Sequence, residues 1–368
     1  CHATTDDSRL VLRVLKEAEQ DGAVLLNYAT ATNVLKTDNH IGSINVTLEG
    51  QTEVLTIKAK VIVSATGAWA DRFRQDLGEQ AKIRPLRGSH LVLPSWRLPM
   101  AQSISMKHPG DGRSMFVYPW EGMTVIGTTD LDNPIVDSTE PVIHQDEVDY
   151  LIEAANALFP NSNITSKDIV STFAGVRPIV SSGGLNPSAE KRDHSIWDDA
   201  GLITVSGGKL TTFRLIALDV LEAASRYLPS LKWKDNKQEI FRQASSIPDE
   251  LKPLDLEIQK RLLGFYGSQI KSLCDCIGDE GWALVPGTKT HWAQVRYAAR
   301  YEQVKHLDDI LLRRTRIGLF CKEGGSQHKD MIKEICMAEM HWDENNWNKE
   351  WERYLKIWNT SYSLPIKI

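Results

Sequence analysis

No run of apolar residues in this sequence approaches the ~18 consecutive positions that a membrane-crossing helix needs. Hydrophobic residues make up 42% and charged residues 25% of 368, so a large core can be buried and the chain reads as soluble or peripheral. A surplus of positive charge is missing too. The formal net charge of −5 argues against a general nucleic-acid binder, because affinity for a phosphate backbone comes mainly from excess Lys and Arg. Cysteine is scarce: Cys1, Cys274, Cys276, Cys321 and Cys336 are an odd five. They lack metal-site spacing, since Cys274-Asp275-Cys276 is a CxC with no His pair beside it, so no metal is expected and a reducing compartment fits. Internal repeats and low-complexity tracts are absent. Neither an initiator Met nor a charged-then-apolar leader precedes Cys1, and the sequence reads as a chain entered partway through.

At this length two or three domains are expected. Leu10, Val11, Val14, Leu15 and Ala18 recur at helical spacing between Asp6 and Gly22, with Asp6, Asp7 or Ser8 available as N-cap. Alternating strands are predicted at Ala23–Val34, Gly42–Leu48 and Val54–Ala59, a small meander. Val61-Ile62-Val63 is a continuous apolar run, as for a strand covered on both faces, and Ala65-Thr66-Gly67 breaks it before a helix near Trp69. Short strands at His90–Leu93, Met115–Tyr118 and Thr124–Gly127 suggest antiparallel sheet. A helix is expected at His144–Leu158, strands at Asp168–Phe173 and Leu202–Val205, and a helix at Thr211–Tyr227. Beyond a boundary placed at Leu231–Lys252, strand patterns vanish and helical ones dominate from Leu254 to Trp358.

Three groups carry chemistry. The turn Gly207-Gly208-Lys209-Leu210-Thr211-Thr212 lies between strand and helix, where backbone N–H groups, a helix N-terminus, one cation and two hydroxyls suit an anionic ligand such as a reduced flavin; a plain helix-capping turn explains the same residues. Arg177, in Ala174-Gly175-Val176-Arg177-Pro178, and Arg192, in Lys191-Arg192-Asp193-His194, would clamp a phosphate dianion if they converged; lone surface arginines are the alternative. His90, where a strand begins, could take a hydroxyl proton as a neutral imidazole, or be structural.

Taken together, Ala65–Asp71, Arg84–His90, Gly127-Thr128-Thr129-Asp130, Gly175–Pro178 and Gly207–Arg214 resemble the FAD-dependent glycerol-3-phosphate dehydrogenase family, in the family's order. The likeness runs from about Asp7 to Arg316 and includes Arg300-Tyr301-Glu302 and Leu311–Arg316. It implies an α/β (mixed α+β) fold: a partial glutathione-reductase-like FAD domain (1–71 and 184–231), a mixed or antiparallel-sheet substrate domain (72–183), and an all-helical C-terminal domain (250–368). The implied reaction converts sn-glycerol 3-phosphate to dihydroxyacetone phosphate and passes electrons to a membrane quinone, on the cytoplasmic face of the inner membrane, with a homodimer as one possible state. By position, Arg177 and Arg192 match the family's phosphate-binding arginines and His90 its proposed base. Lys209 is placed with the catalytic residues; Ala65, Thr66, Gly67, Gly207, Gly208, Lys209, Leu210, Thr211 and Thr212 are placed along the FAD. One departure stands out: no GxGxxG turn occurs anywhere. The first βαβ unit is therefore read as missing, and the chain is expected to hold FAD weakly and to be inactive alone.

Other readings change the acceptor or the class. An α-glycerophosphate oxidase would give electrons to oxygen; an amine or amino-acid oxidase fits two arginine sites poorly, since one fork suffices for a carboxylate. Trp347, Trp351, Tyr354 and Trp358 recur at helical spacing and would serve either as core or as a stripe for lipid or a partner protein. The basic run Arg313–Arg316 with Lys305 and His306 suits anionic headgroups or internal salt bridges alike.

Overall fold

A computed structural model describes residues 5–37, 40–133, 140–181, 193–230 and 237–365. Helix α1 (Asp7–Gln20) is capped by Asp6, whose carboxylate accepts the Arg9 N–H. Strands β1 (Ala29–Thr37), β2 (His40–Leu48) and β3 (Val54–Lys58) form the antiparallel meander that alternation predicts. The first strand starts later than expected, and Val24 and Leu26 stand exposed ahead of it. Strand β4 (Ile62–Ser64) leads through Gly67 into α2 (Asp71–Asp76). It is an edge strand among the described residues, with Val63 45% exposed, not a strand covered on both faces.

The centre is a six-stranded antiparallel sheet made of β5 (Ile83–Pro94), β6 (Ile104–Lys107), β7 (Ser114–Trp120), β8 (Met123–Gly127), β9 (Leu131–Asp132) and, after α3 (Gln145–Leu158), β10 (Ser171–Val180). Its order is β10-β5-β8-β7-β6, with β9 also on β5. Strand pleating gives it two different faces. Leu91, Leu93, Val117 and Ile126 point one way and pack under α3. Val92, Trp120, Met123 and Val125 point the other way into the core of the helical region. A third sheet, β11-β12-β4, contains β11 (His194–Asp199) and β12 (Leu202–Gly207), with β4 and β12 parallel. Helix α4 (Phe213–Ala224) follows the glycine turn, and only Ala224 of it is buried.

The C-terminal part is helical, as predicted: α5 (Leu256–Tyr266), α6 (Ile270–Cys274), α7 (Trp292–Tyr301), a π-helical stretch (Asp309–Arg314), α8 (Ile317–Phe320), α9 (Lys329–Met340) and α10 (Glu344–Ser361). Trp347, Trp351, Tyr354 and Trp358 are all buried here. Tyr354 Oη donates to the Gly324 carbonyl (2.6 Å) and Trp358 Nε1 to that of Gly318 (2.7 Å). The stripe is core. The basic run is consumed internally as well: Arg313 and Arg353 pair with Asp308, Arg314 with Asp309, and Lys305 and His306 with Glu49.

Helix α1 reverses the expectation drawn from its apolar residues. Its buried side chains are Arg9, Arg13 and Glu17, while Val11 and Leu15 are 47% and 40% exposed. Arg9 pairs with Glu302 at 2.8 Å, Arg13 donates to the Gly264 carbonyl at 2.9 Å, and Glu17 accepts from Arg242 at 2.8 Å. Half-exposing a Val or Leu costs about 1 kcal/mol, whereas a buried guanidinium without its carboxylate costs several; once the partners exist, the charged face is held. Glu302→Ala, which strands Arg9 in the interior, should lower stability by about 3–5 kcal/mol in urea unfolding. A loss under about 1 kcal/mol would show that the pair does not hold α1 in place.

Candidate functional site

The register of β10 on β5 builds the site. Phe173 lies opposite His90, Gly175 opposite Gly88, and Arg177 opposite Leu86, so Phe173, Gly175, Arg177, Gly88 and His90 share one face. On β8 and β7 the same face carries Gly127, Val125, Tyr118 and Trp120. The sequence puts His90 where a strand begins and Arg177 beyond the predicted strand Asp168–Phe173; each sits well inside a longer strand, and Pro178 pairs with Pro85 in the ladder.

Two glycines clear space on this face. A Cβ on Gly127 would lie 2.2 Å from His90 Cδ2, and one on Gly88 would lie 2.2 Å from the Arg177 Nη atoms. Imidazole and guanidinium therefore lie flat over bare backbone. The Arg177 fork donates to the Thr128 hydroxyl (2.9 Å), the Thr129 carbonyl (3.2 Å) and Asp130 Oδ1 (3.3 Å). Asp130 in turn pairs with Arg113 at 3.2 Å. From behind the sheet, buried Glu147 of α3 accepts from the hydroxyls of Thr129 (2.6 Å) and Ser89 (2.8 Å) and from Arg87 (2.8 Å). Burial pushes the Glu147 carboxyl up, but these donors outweigh it and hold the group below its ordinary value.

His90 stacks on Phe173, with centroids 4.5 Å apart and planes 8° from parallel. Its Nδ1 is buried and has no hydrogen-bond partner among the described residues. Burial, then the charge of Arg177, holds the imidazole down at about 3, so it is neutral throughout the ordinary pH range. The two side chains line a cavity of ≈ 480 Å³ together with Tyr118, Trp120 and Arg316. A larger cleft of ≈ 940 Å³ shares the wall Ala174–Val176 and runs past Ala68 and Trp69.

The residues expected along a flavin also assemble. Parallel strands β4 and β12 end side by side, and Ser206 Oγ donates to the Gly67 carbonyl at 3.1 Å, joining the two glycine turns. Gly67, Gly207 and Gly208 have φ of +58°, +83° and +81°, a region that strongly favours glycine. A Cβ on Gly67 would meet open space, whereas one on Gly207 would strike the Asp193 carbonyl at 2.5 Å. Val180, at the end of β10, lies 3.3 Å from that same Gly207 position, so the double-glycine turn stands beside the strand carrying Arg177. Lys209 and Thr211 are exposed there, and the Thr212 hydroxyl donates to the Lys209 carbonyl (3.0 Å). Ligands of parallel α/β sheets bind beyond the carboxyl ends of the strands. A flat, hydrogen-bonding, intermittently anionic ring system fits this edge. Arg192 lies outside the described residues.

Sequence reasoning missed Phe173, Tyr118, Trp120 and Arg316 as cavity residues. The i, i+2 spacing of Tyr118 and Trp120 signals a shared face, but only the register shows which face carries His90.

Comparison with known proteins places the chain in a family. Residues 1–223 match the family described as FAD dependent oxidoreductase, and residues 220–347 match the C-terminal domain of alpha-glycerophosphate oxidase. The chain belongs to the FAD-dependent oxidoreductase family. Within it, the chain is similar to the aerobic glycerol-3-phosphate dehydrogenases of Staphylococcus aureus (strain MRSA252), at 31% identity over 91% of this chain and 64% of that protein, and of Staphylococcus haemolyticus (strain JCSC1435), at 30% over 94% and 66%. It thus spans about two thirds of the length of these relatives. The crystal structure of the glycerol-3-phosphate dehydrogenase from Bacillus halodurans complexed with FAD superposes with a TM-score of 0.80 at 27% identity, covering 96% of this chain and 73% of that one.

Gly88→Ala should leave stability within about 1 kcal/mol, because only the flexible tip of Arg177 has to move, yet weaken binding of inorganic phosphate tenfold or more in calorimetric titration. Gly127→Ala, which must displace a stacked ring, should cost about 1–3 kcal/mol. Equal phosphate affinity in wild type and Gly88→Ala would detach Arg177 from anion binding.

Proposed function

We propose that this chain provides the substrate face of an FAD-dependent enzyme that oxidises sn-glycerol 3-phosphate to dihydroxyacetone phosphate. The observation that carries the reading is a guanidinium and a neutral imidazole lining one cavity on one sheet face, beside the paired glycine turns of β4 and β12. Arg177 takes the phosphate, with Arg192 as the second cation by sequence position, and its fork matches two phosphate oxygens. The three-carbon chain then lies along the sheet toward His90, which accepts the proton of the central hydroxyl. FAD, when bound, supplies the hydride acceptor.

An imidazole held at about 3 is a weak base. The substrate corrects this itself: a phosphate dianion at Arg177 cancels the charge that helps to hold His90 down, and its own charge favours the imidazolium. Binding the phosphate end thereby raises the proton affinity of the group that serves the hydroxyl end. Lys209, exposed at the double-glycine turn, would supply a cation to a flavin held there, which would favour its negatively charged reduced state.

As electron acceptor we take a membrane quinone, reached from the cytoplasmic face by a chain that rests on the surface; no described helix is long and apolar enough to cross a membrane. A homodimer is kept as the assembly to test.

With FAD supplied, anaerobic bleaching of the flavin by glycerol 3-phosphate tests the reaction. His90→Asn should lower the bleaching rate by about 10²–10⁴ with little change in KM, while Arg177→Ala should raise KM and lower the rate together. Since the His90 pKa is lowered in the free enzyme, falling pH does not protonate it there, and kcat/KM for the bleaching, which reports the free enzyme, should show no loss from this group between about pH 8 and pH 5. Quinone-analogue reduction measured beside oxygen consumption separates a dehydrogenase from an oxidase.

A further inference from the structure

The face that carries His90 continues without interruption into the core of the helical C-terminal region. Phe173, stacked on His90, meets Trp120 at 6.0 Å between centroids with an interplanar angle of 59°. Trp120 meets Phe320 of α8 edge-on at 5.0 Å and 87°, and the Arg316 guanidinium lies 5.3 Å from the Trp120 ring centroid. Trp120 and Phe320 are 8% and 5% exposed. The indole N–H of Trp120 is buried with no hydrogen-bond partner among the described residues, so its position is filled for the ring surface and not for a polar contact. Ser171, on the same strand as Phe173, donates its hydroxyl to the Leu319 carbonyl at 2.6 Å, fixing the height of α8 over the sheet.

We propose that Trp120 is a positioning residue for His90: the column Phe320–Trp120–Phe173 makes the helical C-terminal region the support that keeps the imidazole flat, in place and out of water. The proposal rests on the reading of His90 as the proton acceptor. A ring stacked on one side has a single orientation only while its neighbour cannot tilt, and Phe173 is kept from tilting by Trp120, itself wedged by α8. The groups that face or surround the imidazole are Arg177 from β10, Tyr118 from β7, Arg313 and Arg316 from the helical region, and Asp7 across the cavity; β8 contributes only Gly127. Of these, Arg177 is the cation that acts on the imidazole, since Arg316 is paired with Asp6 and Asp7 and Arg313 with Asp308; the hydrophobic column and Arg177 act in the same direction, toward a neutral ring. Removing the column lets water reach the ring from the side opposite the substrate and restores part of its ordinary basicity.

The test is a titration of ¹³C-labelled histidines by NMR in the FAD-loaded protein, with the His90 signal assigned from His90→Gln. In the wild type the signal should stay fixed from about pH 8 to pH 5. In Trp120→Leu it should titrate inside that window, its midpoint raised by roughly two units or more toward that of a free imidazole. Turnover should fall about tenfold or more on the acidic side while KM for glycerol 3-phosphate changes less than about threefold. Trp120→Phe, which keeps an aromatic ring in the column, should recover most of both. Phe320→Leu, which removes the far end, should give a smaller change of the same sign and decides the matter if Trp120→Leu does not fold. Ile332→Ala, a cavity in the same helical core away from the column, should leave the His90 signal untouched. A fixed His90 signal in Trp120→Leu, or a shift of equal size in Ile332→Ala, overturns the proposal. Unimpaired turnover in His90→Gln would instead remove the base assignment while leaving the titration result to stand.

Discussion

Everything at the site depends on the register of β10 against β5. A slip by one residue would send Arg177 and Phe173 through to the α3 side of the sheet and bring apolar neighbours onto the open side, because side chains alternate strictly along a strand. The register is fixed from both sides at once. Leu91, Leu93 and Ile126 must meet α3, and Val92, Val125 and Trp120 must meet the helical region. Backbone ties add to this, for Thr172 N–H donates to the Tyr362 carbonyl at 2.8 Å and its hydroxyl to that of Ser363. The chemistry occupies the part of one face that the helical region leaves open.

Within that register, glycine acts as a shaped absence. Gly88 and Gly127 do not sit in turns with left-handed backbone; their function is clearance, since a single methyl at either would occupy the volume of a functional side chain. The glycines at 67, 207 and 208 act differently, adopting conformations that place backbone N–H and carbonyl groups at the open ends of two parallel strands. One residue type thus serves the proposed substrate half through space and the proposed cofactor half through φ.

Much of this was legible in the sequence. The meander, the buried β12, the helical C-terminal part and the double-glycine turn each come from local patterns with a direct physical cause, and the structure has them. His90 and Arg177 were legible as chemistry but not as geometry: Pro85, Gly88 and Pro178 look like strand breakers. The two prolines are tolerated because they face each other where neither nitrogen points into the β5–β10 ladder; the Pro85 carbonyl points the other way and accepts from the Asn133 N–H at 3.0 Å. Two patterns misled. The apolar residues of α1 suggested a face turned inward, and only long-range partners such as Glu302 reveal that the arginines are buried instead. The apolar run at 61–63 suggested a central strand, but periodicity carries no information about whether a neighbour is present. The pairing of aromatic rings from residue 90 to residue 320 had no local signal at all.

The inverted helix α1 has a bearing on how the chain folds as it is made. Arg9 and Glu302 are 293 residues apart, and Asp6 and Arg316 are 310 apart. At about 5–20 residues per second, a ribosome needs roughly 15–60 s to supply the partners of a helix that has already emerged. During that interval Arg9, Arg13 and Glu17 remain hydrated, which costs nothing and discourages adhesion to other nascent chains. An oily docking face would be exposed for the same time. By attaching this helix through charges, the protein makes a late-formed long-range contact from groups that are safe to leave waiting.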